Sequence, residues 1–491
     1  MIPLLILIPV AGASALSFLR GFPSSLKGSV FIAATAAAFI VSVGVLLNFS
    51  NGMGVEGELF VSGVSGFEFK LDRLSLLMVS LTTFLFFLVA ISGVFSDACG
   101  IEKEKEHSFF ALLALLEAFV LCVFIVDSSV LFYAFFEASL IPMFFIIGFW
   151  GHGDRIGAAF KFLIYTATAS LLFLVAIVYS KIFSLGVFDS FYSDIHVYEA
   201  IPFAFRVALW TACFFAFAVK LPMVPCHTWL PKAHVQAPTL GSVLLAGLLI
   251  KMGGYGFIRF CLGGLPAVSF ELSKFVIFLS AISLVYSSLI AYSQKNMKAL
   301  VAYSSIAHMS FVSAGIFSLN ESGIIGAVFQ MVSHGLISAA LFLCVGIIYR
   351  RTGTMEMEKC GGLASAMPRL SLMMIFFSMA SAGLPGTSGF IGEFLSILGI
   401  FQAFKFTVVC FAVGAVLSAA YMLRLCREVV WGSAPEGAFV GKSDINVWEL
   451  VVLGSLAVLV ILLGIFPSLV ISFLKPWVGD VLLSLYKIRL A

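Results

Sequence analysis

Long uninterrupted apolar runs restrict the fold of this sequence more than any other feature. The run LSLLMVSLTTFLFFLVAISGVF (74–95) is one of about fourteen, each near the ~20 residues that a helix needs to cross a bilayer. Because 61% of the 491 residues are hydrophobic and 11% are charged, no water-soluble fold has enough interior to bury the apolar surface. Continuous runs also exclude the alternating pattern of a membrane β-barrel strand. The sequence therefore predicts an all-α polytopic membrane protein.

The apolar runs are divided by charged, polar, Gly and Pro residues, and no stretch between them is long or polar enough for a separate soluble domain. The first run lacks the basic start of a signal peptide, so we expect it to be retained as a helix. The predicted spanning segments lie near 3–19, 29–48, 74–96, 108–126, 129–150, 157–184, 203–226, 237–262, 272–292, 299–319, 322–349, 370–404, 407–431 and 447–474.

The placement of charged residues and cysteines indicates the orientation in the membrane and argues against several kinds of cofactor and partner. Lysine and arginine are more frequent in loops after odd-numbered segments than after even-numbered ones, which predicts that both termini face away from the matrix or cytoplasm. Nine cysteines stand singly with no C-x-x-C pair, which argues against iron–sulfur, zinc or c-type haem ligation. A net charge of +3 gives no indication of a nucleic-acid partner.

Several ionisable side chains fall inside the predicted spans. A charge at the bilayer centre costs about 2.5–3.5 kcal/mol on insertion scales, so such residues are candidate functional groups by default. The alternatives are that a charge near a helix end snorkels to the interface, which we expect for Arg259 and Arg424, and that a histidine is a hydrogen-bonded core residue. The candidates are Glu137, Lys220, Lys251 and Glu393, together with His308 and His334.

The spacing of these residues suggests an internal repeat. A shift of about 172 residues covers five helices, and an odd number inverts the second copy, as in many transporters. Both copies contain an interrupted helix, around Pro222 and Pro225 and around LPGTSG (384–389), where freed backbone groups are tolerated if they line a polar cavity or are buried in protein. The related pairs are Glu137 with His308, Lys220 with Glu393, and Lys251 with Arg424, at separations of 171, 173 and 173.

The chemistry that suits such residues is proton transfer. Burial disfavours the ammonium form of a lysine and a nearby carboxylate favours it, so a lysine whose partner approaches and withdraws takes up and releases a proton. We expect Glu137 to pair with Lys220, and a water-bridged line to continue along the midplane through Lys251, either His308 or His334, and Glu393. The sequence has no complete P-loop, since GAFVGKS (437–443) has three residues between its glycines where four are required. The driving reaction is therefore expected on another polypeptide.

Five motifs resemble the antiporter-like membrane subunits of respiratory complex I. The resemblance is dense over about 129–431 and loose in the first hundred and last sixty residues. The motif at 217–260 is the most specific of them. The motifs are FEASLIPMFFIIGFWG, FAVKLPMVPCHTWLPKAHVQAPTLGSVLLAGLLIKMGGYGFIRF, KALVAYSSIAHMSFV, SHGLISAALFLCVGIIYRR and LPGTSGFIGEFL.

The resemblance implies fourteen helices, with two inverted five-helix repeats and breaks in the seventh and twelfth helices. The implied division is three N-terminal helices (1–107), a first repeat (108–262), a second repeat (263–431), and a C-terminal helix with its tail (432–491).

The resemblance also implies a role for each candidate. Glu137 would be the charge partner of Lys220, Lys251 the central carrier and Glu393 the last acidic site, with His308 and His334 on the connecting polar axis. The glutamate at 393 separates this chain from the subunit 2 and subunit 5 types of the family, which usually carry lysine there, but it is shared with cation/proton antiporter relatives of the D type. His227 and His234 also match the family, at a place that would face an aqueous entrance.

We therefore expect a proton-translocating, non-redox subunit of NADH:ubiquinone oxidoreductase in the mitochondrial inner membrane, or alternatively in a bacterial cytoplasmic membrane. Its partners would be the lipid bilayer and other membrane-arm chains, especially the subunit 2 and subunit 5 types. NADH, FMN, iron–sulfur clusters and ubiquinone would lie on partner subunits, with at most structural lipids on this chain. The alternatives are a subunit of a multisubunit sodium/proton antiporter and a structural spacer. A spacer would have no reason to bear the insertion cost of four charges.

Overall fold

The computed structural model describes residues 2–50, 59–62, 68–96, 104–183, 188, 201–433 and 442–490. These residues are almost entirely helical, which confirms the predicted all-α membrane class. Within them, thirteen helices are long and apolar enough to cross a membrane. Cys99 and most of the connection near 185–202 lie outside the described residues.

The first half of the bundle contains ten helices and a two-stranded antiparallel hairpin, in which Leu59 pairs with Leu71 and Ser62 with Glu68. The apolar pattern of the sequence does not predict the hairpin. The elements are α1 (Ile2–Phe18), α2 (Ser24–Ser50), β1 (Leu59–Ser62), β2 (Glu68–Leu71), α3 (Arg73–Phe95), α4 (Glu106–Ile125), α5 (Ser129–Ala138), α6 (Leu140–Trp150), α7 (Arg155–Ile182), α8 (Phe203–Lys220), α9 (Trp229–Gln236) and α10 (Thr239–Leu262).

The second half continues with helices of varied length. They are α11 (Pro266–Ser293), α12 (Met297–Phe317), α13 (Glu321–Thr352), α14 (Leu363–Ala366), α15 (Pro368–Ser381), α16 (Ser388–Ala403), α17 (Val408–Val429), α18 (Val447–Ile465) and α19 (Ser468–Leu490), with single 3-10 turns at Met357–Lys359 and Lys405–Thr407. The spans of α10 and α13 are wholly buried and that of α12 nearly so. These three helices therefore form the centre of the bundle.

Two helices are interrupted where the sequence places Pro and Gly. Helix α8 ends at Lys220 and α9 begins only at Trp229, because Pro222 and Pro225 have no N–H with which to continue the helix. Helix α15 ends at Ser381, and Gly383 takes a left-handed φ of 78° that ends a helix without a Cβ clash.

Helix α10 departs from α-helical geometry on both sides of Lys251. Residues Leu245–Leu249 and Phe257–Leu262 form π-helical turns. In the first of them the Ile250 N–H donates to Leu245 O, five residues back, instead of Ala246 O. Single π turns inside α-helices are often found at functional sites.

The C-terminal region differs from the sequence analysis. The segment predicted at 447–474 ends at Ile465, and α19 occupies the region that the sequence analysis treats as a tail. Helix α19 has the length of a span, yet the described side-chain contacts named below lie at one end of the bundle. Because these partners begin or end their own helices, α19 lies across that end. The contacts are Phe473 O with Arg73, Trp477 with Arg259, Lys475 with Glu321, and Tyr486 with Leu319 and Phe270.

Candidate functional site

Lys251 lies near the middle of α10 and is fully buried. Its Nζ donates to Ala246 O, the carbonyl that the π turn releases from the Ile250 N–H. The same Nζ lies 2.7 Å from Nδ1 of His334 on α13. The π turn thus supplies one acceptor for Lys251, and the neighbouring helix supplies the other.

His334 continues the contact from Lys251 to α12 and α16. Its ring centroid lies 5.5 Å from that of His308 on α12. Nδ1 of His308 lies 2.9 Å from Oε1 of Glu393 on α16, and Nε2 lies 3.0 Å from Ser381 Oγ. Lys251, His334, His308 and Glu393 therefore form one continuous buried series, which we call the polar axis.

A small cavity lies along the polar axis. Its volume is about 10 Å³, which is roughly the space for one water molecule. His308, Gln330, His334 and Glu393 contribute polar atoms to its lining. Among the described residues, Nε2 of His334 and Oε1 of Gln330 have no hydrogen-bond partner. The cavity therefore offers a water both a space and unused polar atoms.

Glu137 and Lys220 do not join the polar axis by direct contact. Lys220 is buried at the end of α8, and its Nζ lies 4.6 Å from the Phe136 ring centroid. In the described part of the chain, neither this Nζ nor Oε1 of Glu137 has a hydrogen-bond partner. The two groups therefore do not form a hydrogen-bonded pair. We call them the separated pair.

A glycine allows the end of α8, which carries Lys220, to approach α10 closely. A Cβ built on Gly253 would lie 2.7 Å from the Leu221 N atom, which is closer than real Cβ contacts allow. Gly253 is two residues from Lys251, and Leu221 follows Lys220. The close backbone approach therefore holds the two lysine-bearing segments side by side.

The structure also shows buried charges that the sequence analysis missed. Lys298 lies just before the predicted segment 299–319, but its side chain is fully buried and donates to Ala237 O at 2.7 Å. Glu117 on α4 is fully buried as well. Apolar residues flank Glu117 as they flank Glu137, so the same pattern indicates a buried carboxyl at both positions. Lys298 lies close to the polar loop at Gln294–Lys295, so no such pattern indicates its burial.

Two expectations about exposed residues are wrong. Arg259 does not snorkel: it is 2% exposed, and its guanidinium lies 2.6 Å from Asp72 and donates to Ser75 Oγ. His234 does not face an aqueous entrance, because it is fully buried with its ring stacked on Phe342 at a centroid distance of 4.5 Å. In both cases the partner is distant in sequence, so no local pattern indicates it.

The described residues contain no group of three or more His, Cys, Asp or Glu side chains that could hold a metal ion. The eight cysteines in the part of the chain that the structure describes are free, and six of them are buried. The polar axis offers the chemistry of lysine, imidazole and carboxyl groups, all of which exchange protons.

A polytopic bundle with broken helices and a central series of protonatable groups defines an antiporter-like membrane subunit. Residues 127–418 match the family described as NADH:quinone oxidoreductase/Mrp antiporter, transmembrane, and the chain belongs to this family.

Relatives and a solved structure match nearly the whole chain. NADH-quinone oxidoreductase subunit M of Rhodobacter capsulatus is 45% identical over 489 residues, covering 96% of this chain and 94% of the relative. NADH-ubiquinone oxidoreductase chain 4 of Marchantia polymorpha is 42% identical over 417 residues, covering 84% and 82%. A chain of respiratory complex I from Thermus thermophilus with bound NADH superimposes with a TM-score of 0.86 at 28% identity, covering 99% of this chain and all of that one.

Proposed function

We propose that this chain is the subunit M, or chain 4, component of a proton-translocating NADH:quinone oxidoreductase, and that its polar axis carries the proton. The observation that supports this most is the buried series that runs from Lys251 through His334 and His308 to Glu393, with a water-sized cavity lined by both histidines. Buried ionisable groups are costly in a membrane. A continuous series of them is explained by a pathway and not by packing.

The proton moves along the axis by exchange at named atoms. The Lys251 ammonium gives a proton to Nδ1 of His334, which leaves an amine and an imidazolium. Nε2 of His334 then releases its proton to a water in the cavity, and the ring returns to the neutral state. His308 accepts that proton and passes it to the Glu393 carboxylate 2.9 Å away. Neutral imidazole has one donor and one acceptor nitrogen, which suits it to this relay.

The separated pair controls the loading of Lys251. When Glu137 is ionised and near, it favours the ammonium form of Lys220. Two positive charges on neighbouring segments repel each other, so a charged Lys220 drives the proton on Lys251 toward His334. Moving one charge against 100 mV requires about 2.3 kcal/mol, and we assign that energy to a reaction on other subunits.

Membership of such a complex brings partners and cofactors with it. The partners are the other membrane-arm chains, especially those of the subunit 2 and subunit 5 types, and the lipid bilayer. NADH, FMN, iron–sulfur clusters and ubiquinone belong to other subunits, and this chain serves the enzyme as a non-redox subunit. The relatives come from bacteria and a plant, which fits either a bacterial cytoplasmic or a mitochondrial inner membrane.

The internal organisation that supports this function is a pair of inverted five-helix repeats. We assign residues 108–262 to the first repeat and 263–431 to the second, with 1–107 and 432–491 flanking them. The interruptions after Lys220 and before Ser388, one in each assigned repeat, support this assignment. Lys220 directly precedes the first interruption, and Glu393 lies in the helix that follows the second.

The second candidate function is a subunit of a sodium/proton antiporter, which the family description also covers. The whole-length relatives named NADH-quinone oxidoreductase subunit M favour the first. Purification of the assembled complex through a tag on this chain separates the two. We expect flavin, iron–sulfur clusters and NADH-driven proton uptake into vesicles. A complex without redox partners that exchanges sodium for protons would contradict the proposal.

A further inference from the structure

Glu117 is a buried carboxyl that neither the polar axis nor the separated pair uses. It lies in α4 within the run ALLALLEAFVLCVFI, and none of its surface is exposed. Both carboxyl oxygens lack a hydrogen-bond partner among the described residues. Burying an ionised carboxylate without a partner costs far more than burying a carboxylic acid. The surroundings therefore favour a protonated Glu117.

The side chain of Glu117 points into the bundle. The residues of α4 near it that remain partly exposed are Ala111, Leu112, Leu115 and Phe119, which share one side of the helix. With 3.6 residues per turn, Glu117 lies on the opposite side. It therefore faces protein and not lipid.

Contacts at both ends of α4 fix its depth relative to α10. At one end, Phe110 and Leu240 both pack against Gly93. At the other end, the ring centroids of Phe124 and Tyr255 lie 5.1 Å apart. The two helices therefore run in the same direction, and residues midway between these contacts lie at the same depth.

Glu117 lies midway between Phe110 and Phe124, and the matching midpoint of α10 lies at Gly247. The Lys251 ammonium reaches back along its helix to Ala246 O. Because Ala246 adjoins Gly247, Nζ of Lys251 lies at the depth of the Glu117 carboxyl.

Hydroxyl groups add polarity at the same depth. Ser75 Oγ lies 3.0 Å from Tyr255 OH at one end of α3, and Gly93 lies at the other. Their midpoint falls beside Thr83, whose Oγ1 lies 2.7 Å from Ser42 Oγ. The level of Glu117 thus contains other buried groups that can orient a water molecule.

We propose that Glu117 is a further proton-binding site of this chain and acts as a proton reservoir for Lys251. In the exchange, the Glu117 O–H bond breaks and a chain of water molecules transfers the proton to the neutral Lys251 amine, where an N–H bond forms. The products are a carboxylate and an ammonium ion that attract each other, and the reverse step refills Glu117. This inference rests on the proposed function of the polar axis.

The test replaces Glu117 in the assembled complex in its native membrane. Glu117→Gln keeps the shape but removes the exchangeable proton, and we expect NADH-driven proton uptake to fall about tenfold. Glu117→Asp keeps a carboxyl and should retain most of the uptake. Leu121→Met, one turn away in the same buried face of α4, is the matched packing control and should behave as the unchanged chain. Uptake in Glu117→Gln equal to that of Leu121→Met would overturn the proposal.

A second measurement does not depend on the variants assembling. Dicyclohexylcarbodiimide reacts with protonated carboxyls in apolar surroundings, so Glu117 in the unchanged complex should be labelled, as read by peptide mass spectrometry. Glu449, buried but 2.6 Å from Arg351, should stay unlabelled. Absence of label on Glu117 would overturn the proposal. Lys251→Met distinguishes failure of the proposed function from failure of the reservoir. Normal proton uptake in Lys251→Met contradicts the proposed function itself. Normal proton uptake in Glu117→Gln alone contradicts only the reservoir.

Discussion

Buried charges at the ends of the bundle differ from those at its centre in how they are paired. Asp72 and Arg259 lie 2.6 Å apart, and Glu449 accepts from Arg351, Ser96 and the Asn446 N–H. At the centre, by contrast, Lys220 Nζ and His334 Nε2 have no hydrogen-bond partner among the described residues. Asp72 and Glu449 face arginine, which keeps its charge, whereas Lys251 and Glu393 face histidines, which can take up or release a proton. The comparison teaches that the kind of partner, and not burial alone, separates structural charges from candidate proton carriers.

The largest effect is expected where a structural pair is broken. Arg259→Met leaves Asp72 buried without its partner, which should lower the free energy of unfolding by about 3–5 kcal/mol. Thermal unfolding of the detergent-solubilised complex measures the loss. The double variant Asp72→Leu with Arg259→Met removes both charges and should recover much of the stability. If Arg259→Met alone is as stable as the unchanged chain, the Asp72–Arg259 pair is not a structural charge pair.

In contrast to Arg259→Met, which should lower stability, Lys251→Met should leave assembly intact and stop proton transport. Methionine has similar volume and no proton to exchange, so NADH-driven proton uptake should fall by about 10²-fold. The readouts are the complex recovered after purification and the ratio of protons taken up to electrons transferred in vesicles. An unchanged ratio would mean that the polar axis is not the pathway.

Glu137→Gln should have a smaller effect on the same measurement. The amide keeps the shape but removes the charge that favours protonated Lys220, so coupled turnover should fall by about tenfold. Lys220→Met in the same background should add little, because its tuning partner is already gone. Turnover equal to that of the unchanged chain would show that the separated pair does not function as a pair.

The smallest change tests the structural cluster beside the Asp72–Arg259 pair. Tyr255→Phe removes the 3.0 Å hydrogen bond between its hydroxyl and Ser75 Oγ and should lower stability by about 1 kcal/mol. Proton uptake should stay unchanged. A loss of uptake at full stability would place Tyr255 with the proton carriers.

Much of the fold was predictable because it follows from apolar run length and from Pro and Gly. The bounds of α3 and α4 lie within two residues of the predicted segments, and the chain is interrupted at Pro222 and LPGTSG as expected. The orientation of α19 was not predictable, because length and hydropathy do not distinguish a helix that crosses the membrane from one that lies on it. Only its contacts with Arg73 and Glu321 reveal the difference.

The candidate site was predictable in its members more than in its contacts. Lys251 and Glu393 are each flanked by apolar residues, so the sequence identifies each of them as a charge inside a predicted span. No local pattern shows that His334 touches Lys251 from 83 residues away, or that Glu137 and Lys220 stay apart. The sequence analysis paired Glu137 with Lys220 by charge alone, and the missing contact between them depends on side-chain placement that only the packed bundle determines.

The helix lying across the bundle end limits how the molecule can move. From Phe473 to Tyr486, α19 touches the ends of α3, α13 and α10, a reach of roughly 20 Å at 1.5 Å per residue. Helix α19 therefore fixes those ends to one another in the membrane plane. Separation of the two halves of the bundle on that side would require these contacts to break. Motion that keeps the contacts is confined to the interior, where side chains rotate and water molecules shift by single positions.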